Sequence, residues 1–219
     1  MSEMSFEQAR FNMIEQQIRP WEVLDQRVLD VMAQTPREDF VPPPYRQLAF
    51  ADVAIPLGHS QVMMIPKVEA RMLQGLAVQA TDRVLEVGTG SGFITACLAR
   101  LGDSVVSVDI FPEFTQAARR KLQFHGISNV ILHTGDAAQG WGEQYYDIIA
   151  ITGSLPVLPE RWRQQLKIGG RLFVIVGESP VMEALLITRL SAHEWTTDSL
   201  FETELPPLLN ITKPVVFEF

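Results

Sequence analysis

Apolar side chains recur at helical spacing in two blocks near the start of the chain. Phe6, Ala9, Met13, Ile14 and Ile18 predict a helix over residues 5–18, and Pro20 ends it. Asp25 then reads as the N-cap of a second helix that carries Val28, Leu29 and Met32 on one face and stops before Pro36. From Pro36 to Pro66 the pattern breaks. Pro42-Pro43-Pro44, Pro56, Gly58 and Pro66 punctuate short apolar pieces, which predicts a long irregular segment with one or two short strands. A loop of this length inside a compact domain is functional or disordered, and its apolar content argues for function.

Beyond Pro66 the rhythm becomes regular. Lys67–Val78 reads as a helix with Val68, Met72, Leu73 and Leu76 inward. Strands at Arg83–Val87, Ser104–Asp109, Asn129–Thr134 and Tyr146–Thr152 alternate with helices at Phe93–Leu101, Glu113–His125 and Pro159–Leu166. Each strand is apolar on both faces, as parallel strands covered by helices must be. A further strand, Arg171–Val176, follows Gly169-Gly170. Glu183–Arg189 and Phe201–Leu205, with Val215–Phe219 as a tail, have no crossover helix and read as antiparallel strands at one sheet edge. The prediction is an α/β fold with a doubly wound, mostly parallel sheet, antiparallel strands at one edge and an N-terminal helical extension. At 219 residues one core is expected. It forms a single domain in which residues 1–66 supply helices and a pocket cover and residues 67–219 the ligand-binding core.

Composition narrows the partners. With 26 Asp and Glu against 18 Lys and Arg, binding to nucleic acid by phosphate neutralisation is disfavoured. No apolar run approaches the roughly 18 residues of a membrane span. The start, Met1 to Phe6, lacks the layout of a signal peptide, so the cytoplasm is the expected location. The single cysteine, Cys97, lies on an apolar helix face and reads as a packed thiol. His125 and His133 are too scattered for a metal site.

The candidate chemistry starts at Val84–Phe93. A buried strand turns on Gly88, Gly90 and Gly92 into a helix whose N-terminus offers free N–H groups and a positive dipole end. A dinucleotide fingerprint would need its third glycine where Phe93 stands. The pattern is instead Glu86-x-Gly-x-Gly-x-Gly, and a carboxylate there suits a cationic ligand better than a pyrophosphate. That favours S-adenosylmethionine. Asp109 ends the second strand, where it can accept from ribose hydroxyls, with Ile110 beside it. Asp136 follows the third strand in Gly135-Asp136-Ala137 and is placed to accept from an adenine amino group. The predicted cofactor site is Glu86, Gly88, Thr89, Gly90, Gly92, Asp109, Ile110, Asp136 and Ala137. Trp141, Tyr145 and Tyr146 read as adenine cover or core, Arg19 and Arg37 as surface charges or substrate contacts, and His59 as a structural loop histidine or a substrate contact.

These residues, with Leu166-Lys167-Ile168-Gly169-Gly170-Arg171-Leu172, resemble the class I S-adenosylmethionine-dependent methyltransferases. The phrases Met13–Arg19, Asp25–Leu29, Pro36–Pro42, Ala49–Asp52 and Ile55–His59 resemble, in order, the protein-L-isoaspartate O-methyltransferase family. The resemblance covers nearly the entire chain and implies methyl esterification of L-isoaspartyl residues in damaged proteins or peptides. An isoaspartyl carboxylate is ionised at pH 7, so attack on a methyl group needs no base and positioning dominates.

One phrase departs from the resemblance. The family carries Gln-Thr-Ile-Ser-x-Pro, whose hydroxyls lie beside the methyl and the incoming carboxylate. Here Gln61-Val62-Met63-Met64-Ile65-Pro66 puts Val62 and Met64 in the hydroxyl positions, and neither donates a hydrogen bond. After the fourth strand, Thr152-Gly153-Ser154-Leu155-Pro156 stands in for a small, alanine-rich phrase. Either Ser60, Thr152 or Ser154 supplies the missing donor, or the pocket has become apolar. In the second case the chain methylates another acceptor or serves as a non-catalytic cofactor-binding adaptor or sensor. A nicotinamide dehydrogenase is a third reading, disfavoured by Phe93 and Glu86.

Overall fold

The computed structural model describes residues 3–211, with side chains from Phe6 onward; the predicted tail strand Val215–Phe219 lies outside them. The first helix, α1 (Glu3–Met13), runs on through a π-helical turn, Ile14–Ile18, and a 3₁₀ turn, Arg19–Trp21, in which Pro20 stops it. Helix α2 (Gln26–Gln34) begins as the pattern predicts: the Asp25 carboxylate accepts the Arg27 N–H at 2.9 Å. The irregular segment resolves into α3 (Arg37–Phe40), a 3₁₀ turn (Pro43–Leu48) and a hairpin of β1 (Ile55–Gly58) and β2 (Gln61–Met63). Helix α4 (Pro66–Leu76) follows, starting at Pro66 rather than Lys67 because proline suits a first helical turn.

The core sheet contains β3 (Arg83–Val87), β4 (Ser104–Asp109), β5 (Val130–Thr134), β6 (Tyr146–Leu155), β7 (Leu166–Glu178), β8 (Val181–Arg189) and β9 (Trp195–Glu202). Its spatial order is β5-β4-β3-β6-β7-β8-β9, parallel from β5 to β7 and antiparallel across β7-β8-β9. Helices α5 (Phe93–Leu101), α6 (Pro112–Phe124) and α7 (Glu160–Gln164) make the crossovers. Period-two alternation sorts the strand residues between two cores. Val84, Ile148 and Ala150 join α4, α5 and the N-terminal extension on one face, while Leu85, Val87, Ile149 and Trp162 fill the other.

Three of the boundaries that differ from the sequence reading concern how the sheet is paired. The last edge strand is Trp195–Glu202 rather than Phe201–Leu205, because residues 195–202 pair with Glu183–Arg189 of β8, with an irregularity at Ala184/Leu185. Leu166 opens β7 instead of closing α7, since its register with Tyr146 starts the strand before the Gly169-Gly170 bend. Strand β6 runs on to Leu155, where Ser154 and Leu155 pair with Ile175 and Val176. Tyr146 is plain core, Tyr145 is exposed, and Trp141 packs under Gly135.

Candidate functional site

A cleft opens at the C-terminal ends of β3, β4 and β5, where an open α/β sheet binds its ligands. Gly88 and Gly90 form its floor with positive φ of 99° and 49°. A Cβ at Gly88 would lie 2.3 Å from Thr152 Oγ1, and one at Gly90 3.2 Å from Leu57 of the hairpin above. The turn therefore needs glycine both for its backbone and for the close approach of floor and roof. Asp109, Ile110, Asp136 and Ala137, four of the residues expected at the cofactor site, line the walls of the cleft with Phe111, Phe114 and Leu208. The β1–β2 hairpin contributes Leu57, Gln61 and Val62 from above. A smaller cavity of about 30 Å³ lies across the glycine turn. It shares Leu57, Val62, Gly88 and Gly90 with the cleft and adds Met64, Glu69 and Thr89.

Asp109 is partly committed. Its Oδ2 accepts the Gly90 N–H at 2.8 Å and its Oδ1 the Phe111 N–H at 3.0 Å. Burial raises its pKa, and the backbone donors Gly90 and Phe111 oppose that rise. Asp136 accepts from Ala138 N–H at 2.9 Å and from the Asn210 amide at 2.8 Å, which ties the β5 end to residues 205–211.

Glu86 is a correction. It is fully buried beneath the glycine turn and lines neither cavity, because its register partner is Ser107, two residues short of Asp109. Its Oε2 accepts from Thr95 Oγ1 at 2.5 Å and Ser107 Oγ at 2.6 Å, and Thr89 joins the network through Ser107 at 2.6 Å. Burial pushes its pKa up to about 8 against the two hydroxyls, so at pH 7 it is largely neutral. The argument that its charge selects a cationic ligand therefore fails. Gly92 lines neither cavity, and a Cβ there would meet Ala118 at 2.9 Å, so this glycine also serves the packing of α5 on α6.

The acceptor side differs more. Met64 is buried on the wall of the smaller cavity. Ser60 is exposed at the hairpin tip with φ 58° and lines neither cavity. Thr152 Oγ1 shares its single proton between Val87 O at 2.9 Å and Gly88 O at 2.6 Å, and Ser154 Oγ donates to Leu205 O at 2.7 Å. Neither hydroxyl is left to donate to an incoming carboxylate. Gln61 lines the cleft, and its side-chain amide has no hydrogen-bond partner among the described residues.

Arg37 is neither a surface charge nor a substrate contact. It is fully buried, donates to Ala49 O at 2.8 Å and Met64 O at 2.7 Å, pairs with the Glu69 carboxylate, and stacks its guanidinium 4.8 Å from the Phe93 ring. Burial pushes Glu69 up to about 7, opposed by Arg37. One sequence signal could have found Glu69: it occupies the first place of the apolar series Glu69, Met72, Leu73, Leu76 on α4. His59 stacks on Phe111, with ring centroids 4.0 Å apart, and so joins the hairpin tip to the cleft rim. Cys97 is buried, which pushes its thiol up and leaves it inert.

The sheet order separates two cofactor classes where Glu86 does not. A dinucleotide fold of this kind continues with a parallel sixth strand, whereas β8 and β9 here run antiparallel. With a glycine turn, a strand-end acid at Asp109 and an aromatic wall, the fold and site define a class I S-adenosylmethionine-dependent methyltransferase. The cleft offers what that cofactor needs: glycine backbone on the floor, the Asp109 carboxylate at the end of β4, and apolar walls.

Comparison with known proteins takes the identification one step further. The family model described as protein-L-isoaspartate(D-aspartate) O-methyltransferase (PCMT) matches residues 8–209. A protein-L-isoaspartate O-methyltransferase of Rhodopseudomonas palustris (strain ATCC BAA-98 / CGA009) is 37% identical over 199 residues, 90% of this chain and 91% of that one. One from Gloeobacter violaceus (strain ATCC 29082 / PCC 7421) is 41% identical over 166 residues, 75% and 81% of the two chains. The chain belongs to the protein-L-isoaspartate(D-aspartate) O-methyltransferase family. A Plasmodium falciparum PCMT solved in complex with S-adenosyl-L-homocysteine shares the fold at TM-score 0.78 and 19% identity, covering 93% of this chain and 97% of that one.

Proposed function

We propose that this chain is a methyltransferase that esterifies the free carboxylate of L-isoaspartyl residues in damaged proteins and peptides, with S-adenosylmethionine as donor. The observation that carries this reading is the family match, which runs from α1 to residue 209 and so includes the roof as well as the cofactor core. Bound in the cleft, the cofactor supplies an electrophilic methyl group. The chain's own residues do the remaining work. Asp109 holds the adenosine end and keeps Gly90 in place, while the hairpin closes the cleft from above and excludes water.

The acceptor needs no general base, because its carboxylate is ionised at pH 7. It needs a donor that positions it without quenching it. With Thr152 and Ser154 committed to backbone carbonyls, Gln61 is the side-chain amide on the cleft wall that serves this purpose. Residues 1–66 act as roof and 67–219 as cofactor core of one domain, working in the cytoplasm. No helix among the described residues is long and apolar enough to cross a membrane. The test is methyl transfer to an isoaspartyl peptide and to its aspartyl twin. Turnover of the first alone supports the reading, and labelling of neither overturns it.

A further inference from the structure

The cofactor carries a cation at each of two centres, the sulfonium and the α-ammonium, and the second belongs to its amino-acid end. The sequence points to Glu86 as the carboxylate that meets this charge. In the structure Glu86 lies under the glycine turn, bound by Thr95 and Ser107 and facing no cavity. A different carboxylate, Glu69, lines the smaller cavity beside the cleft. Asp109, Phe111 and Asp136 stand on one side of the Gly88–Gly90 turn and define the adenosine end. On the other side lies the smaller cavity, which shares Leu57, Val62, Gly88 and Gly90 with the cleft and has Glu69 as the carboxylate on its wall. A ligand whose ribose sits at Asp109 and whose chain crosses the turn reaches that cavity with its amino-acid end.

We propose that Glu69, held in place by Arg37, is the residue that receives the α-ammonium of the cofactor. The geometry suits the task. Arg37 engages Glu69 through Oε2, on the wall of the smaller cavity. Arg37 also divides its donors among Ala49 O and Met64 O, so its charge is shared with two backbone dipoles rather than spent on Glu69 alone. A carboxylate raised to about 7 by burial gains from a second cation. Arg37 thereby couples two jobs: one hydrogen bond holds the backbone of Met64 in the acceptor loop, and one orients the carboxylate that anchors the cofactor. The assignment rests on the cofactor class and is independent of the acceptor.

The experiment is calorimetric and needs no turnover. S-Adenosylhomocysteine is compared with 5′-methylthioadenosine, which keeps the adenosine and lacks the amino-acid end, on wild type and on Glu69→Gln. The expected result is a loss of about tenfold or more for S-adenosylhomocysteine in the variant, the scale of a hydrogen bond to a charged group. Affinity for methylthioadenosine stays unchanged. Equal losses for both ligands, or none for either, overturn the assignment. If Glu69→Gln does not unfold cooperatively, wild type is titrated instead with the deaminated analogue of S-adenosylhomocysteine. Binding at least tenfold weaker than that of the parent supports the assignment, and equal binding overturns it. Wild type that binds methylthioadenosine but gains nothing from the amino-acid end refutes Glu69 alone, whereas binding of neither ligand refutes the cofactor reading itself.

Discussion

Glu86 and Glu69 are both buried carboxylates within a short reach of the same glycine turn, yet they belong to opposite designs. Glu86, in the floor, is held by hydroxyls and has no cationic partner among the described residues, so burial dominates and keeps it largely neutral at pH 7. Glu69, on α4 where the core meets the roof, is opposed by the fully buried guanidinium of Arg37 and faces a cavity. The floor carboxyl is a structural brace beneath a loop whose backbone does the binding. The Glu69 carboxyl sits beside a guanidinium, which opposes its burial and favours its charged form. Proximity to a ligand loop therefore says little about which acid serves the ligand; the face on which the side chain emerges decides it.

The largest expected effect comes from removing the cation of the roof. Arg37→Ala leaves the Glu69 carboxylate buried and frees Ala49 O and Met64 O. Breaking a buried pair by deleting one partner costs about 3–5 kcal/mol, read as a lowered denaturant midpoint at unchanged slope. A loss below about 1 kcal/mol would show that the roof does not depend on this clamp.

Asp109→Ala comes next. Loss of its ribose contacts and of its grip on Gly90 N–H lowers S-adenosylhomocysteine affinity by about tenfold, measured by calorimetry. Unchanged affinity would remove Asp109 from the cofactor site and weaken the floor's claim to the adenosine end.

A smaller gain is expected at the acceptor. Val62→Thr is nearly isosteric and returns a hydroxyl to the wall shared by cleft and cavity. It raises kcat/KM for an isoaspartyl peptide by several-fold, up to about tenfold for one net hydrogen bond. A drop would mean that the apolar wall is itself what the acceptor needs.

The smallest effect at neutral pH is that of Glu86→Gln. The folded-state pKa of Glu86 is raised from 4.5 to about 8. Its favourable contribution is thus fully present below about pH 4.5 and lost as pH rises toward 8. The variant removes that loss, so its melting temperature should fall near wild type at pH 6 and gain on wild type by pH 8.5. Part of the slope persists in the variant because Glu69 titrates upward over an overlapping window. A gap that does not change with pH would show Glu86 to be ionised in the native state.

Much of the floor was legible along the chain. The strand that ends in Gly88 and Gly90, the helix from Phe93, and the walls at Asp109 and Asp136 follow from local periodicity and turn chemistry. The aromatic wall was also close at hand, since Phe111 and Phe114 follow Asp109 at the start of α6. The roof was not legible in this way. Arg37, Met64, Glu69 and Phe93 meet across long sequence separations, and no short window brings them together. Glu69 left one mark, a charge at an apolar place on α4.

The sequence by itself determined the rhythm of strands and helices, the glycine turn, the family and the loss of two hydroxyls at Val62 and Met64. These are properties of neighbouring residues, and periodicity or side-chain chemistry expresses them directly. Only the tertiary structure decided which acid faces a cavity and which hydroxyls are committed to backbone carbonyls. Glu86 and Thr152 look like site residues in the chain, but strand register turns Glu86 under the loop and the packing of β3 on β6 spends the Thr152 proton on a carbonyl. Burial and partnership are set by segments far apart in the chain, so they become visible only when those segments are in contact.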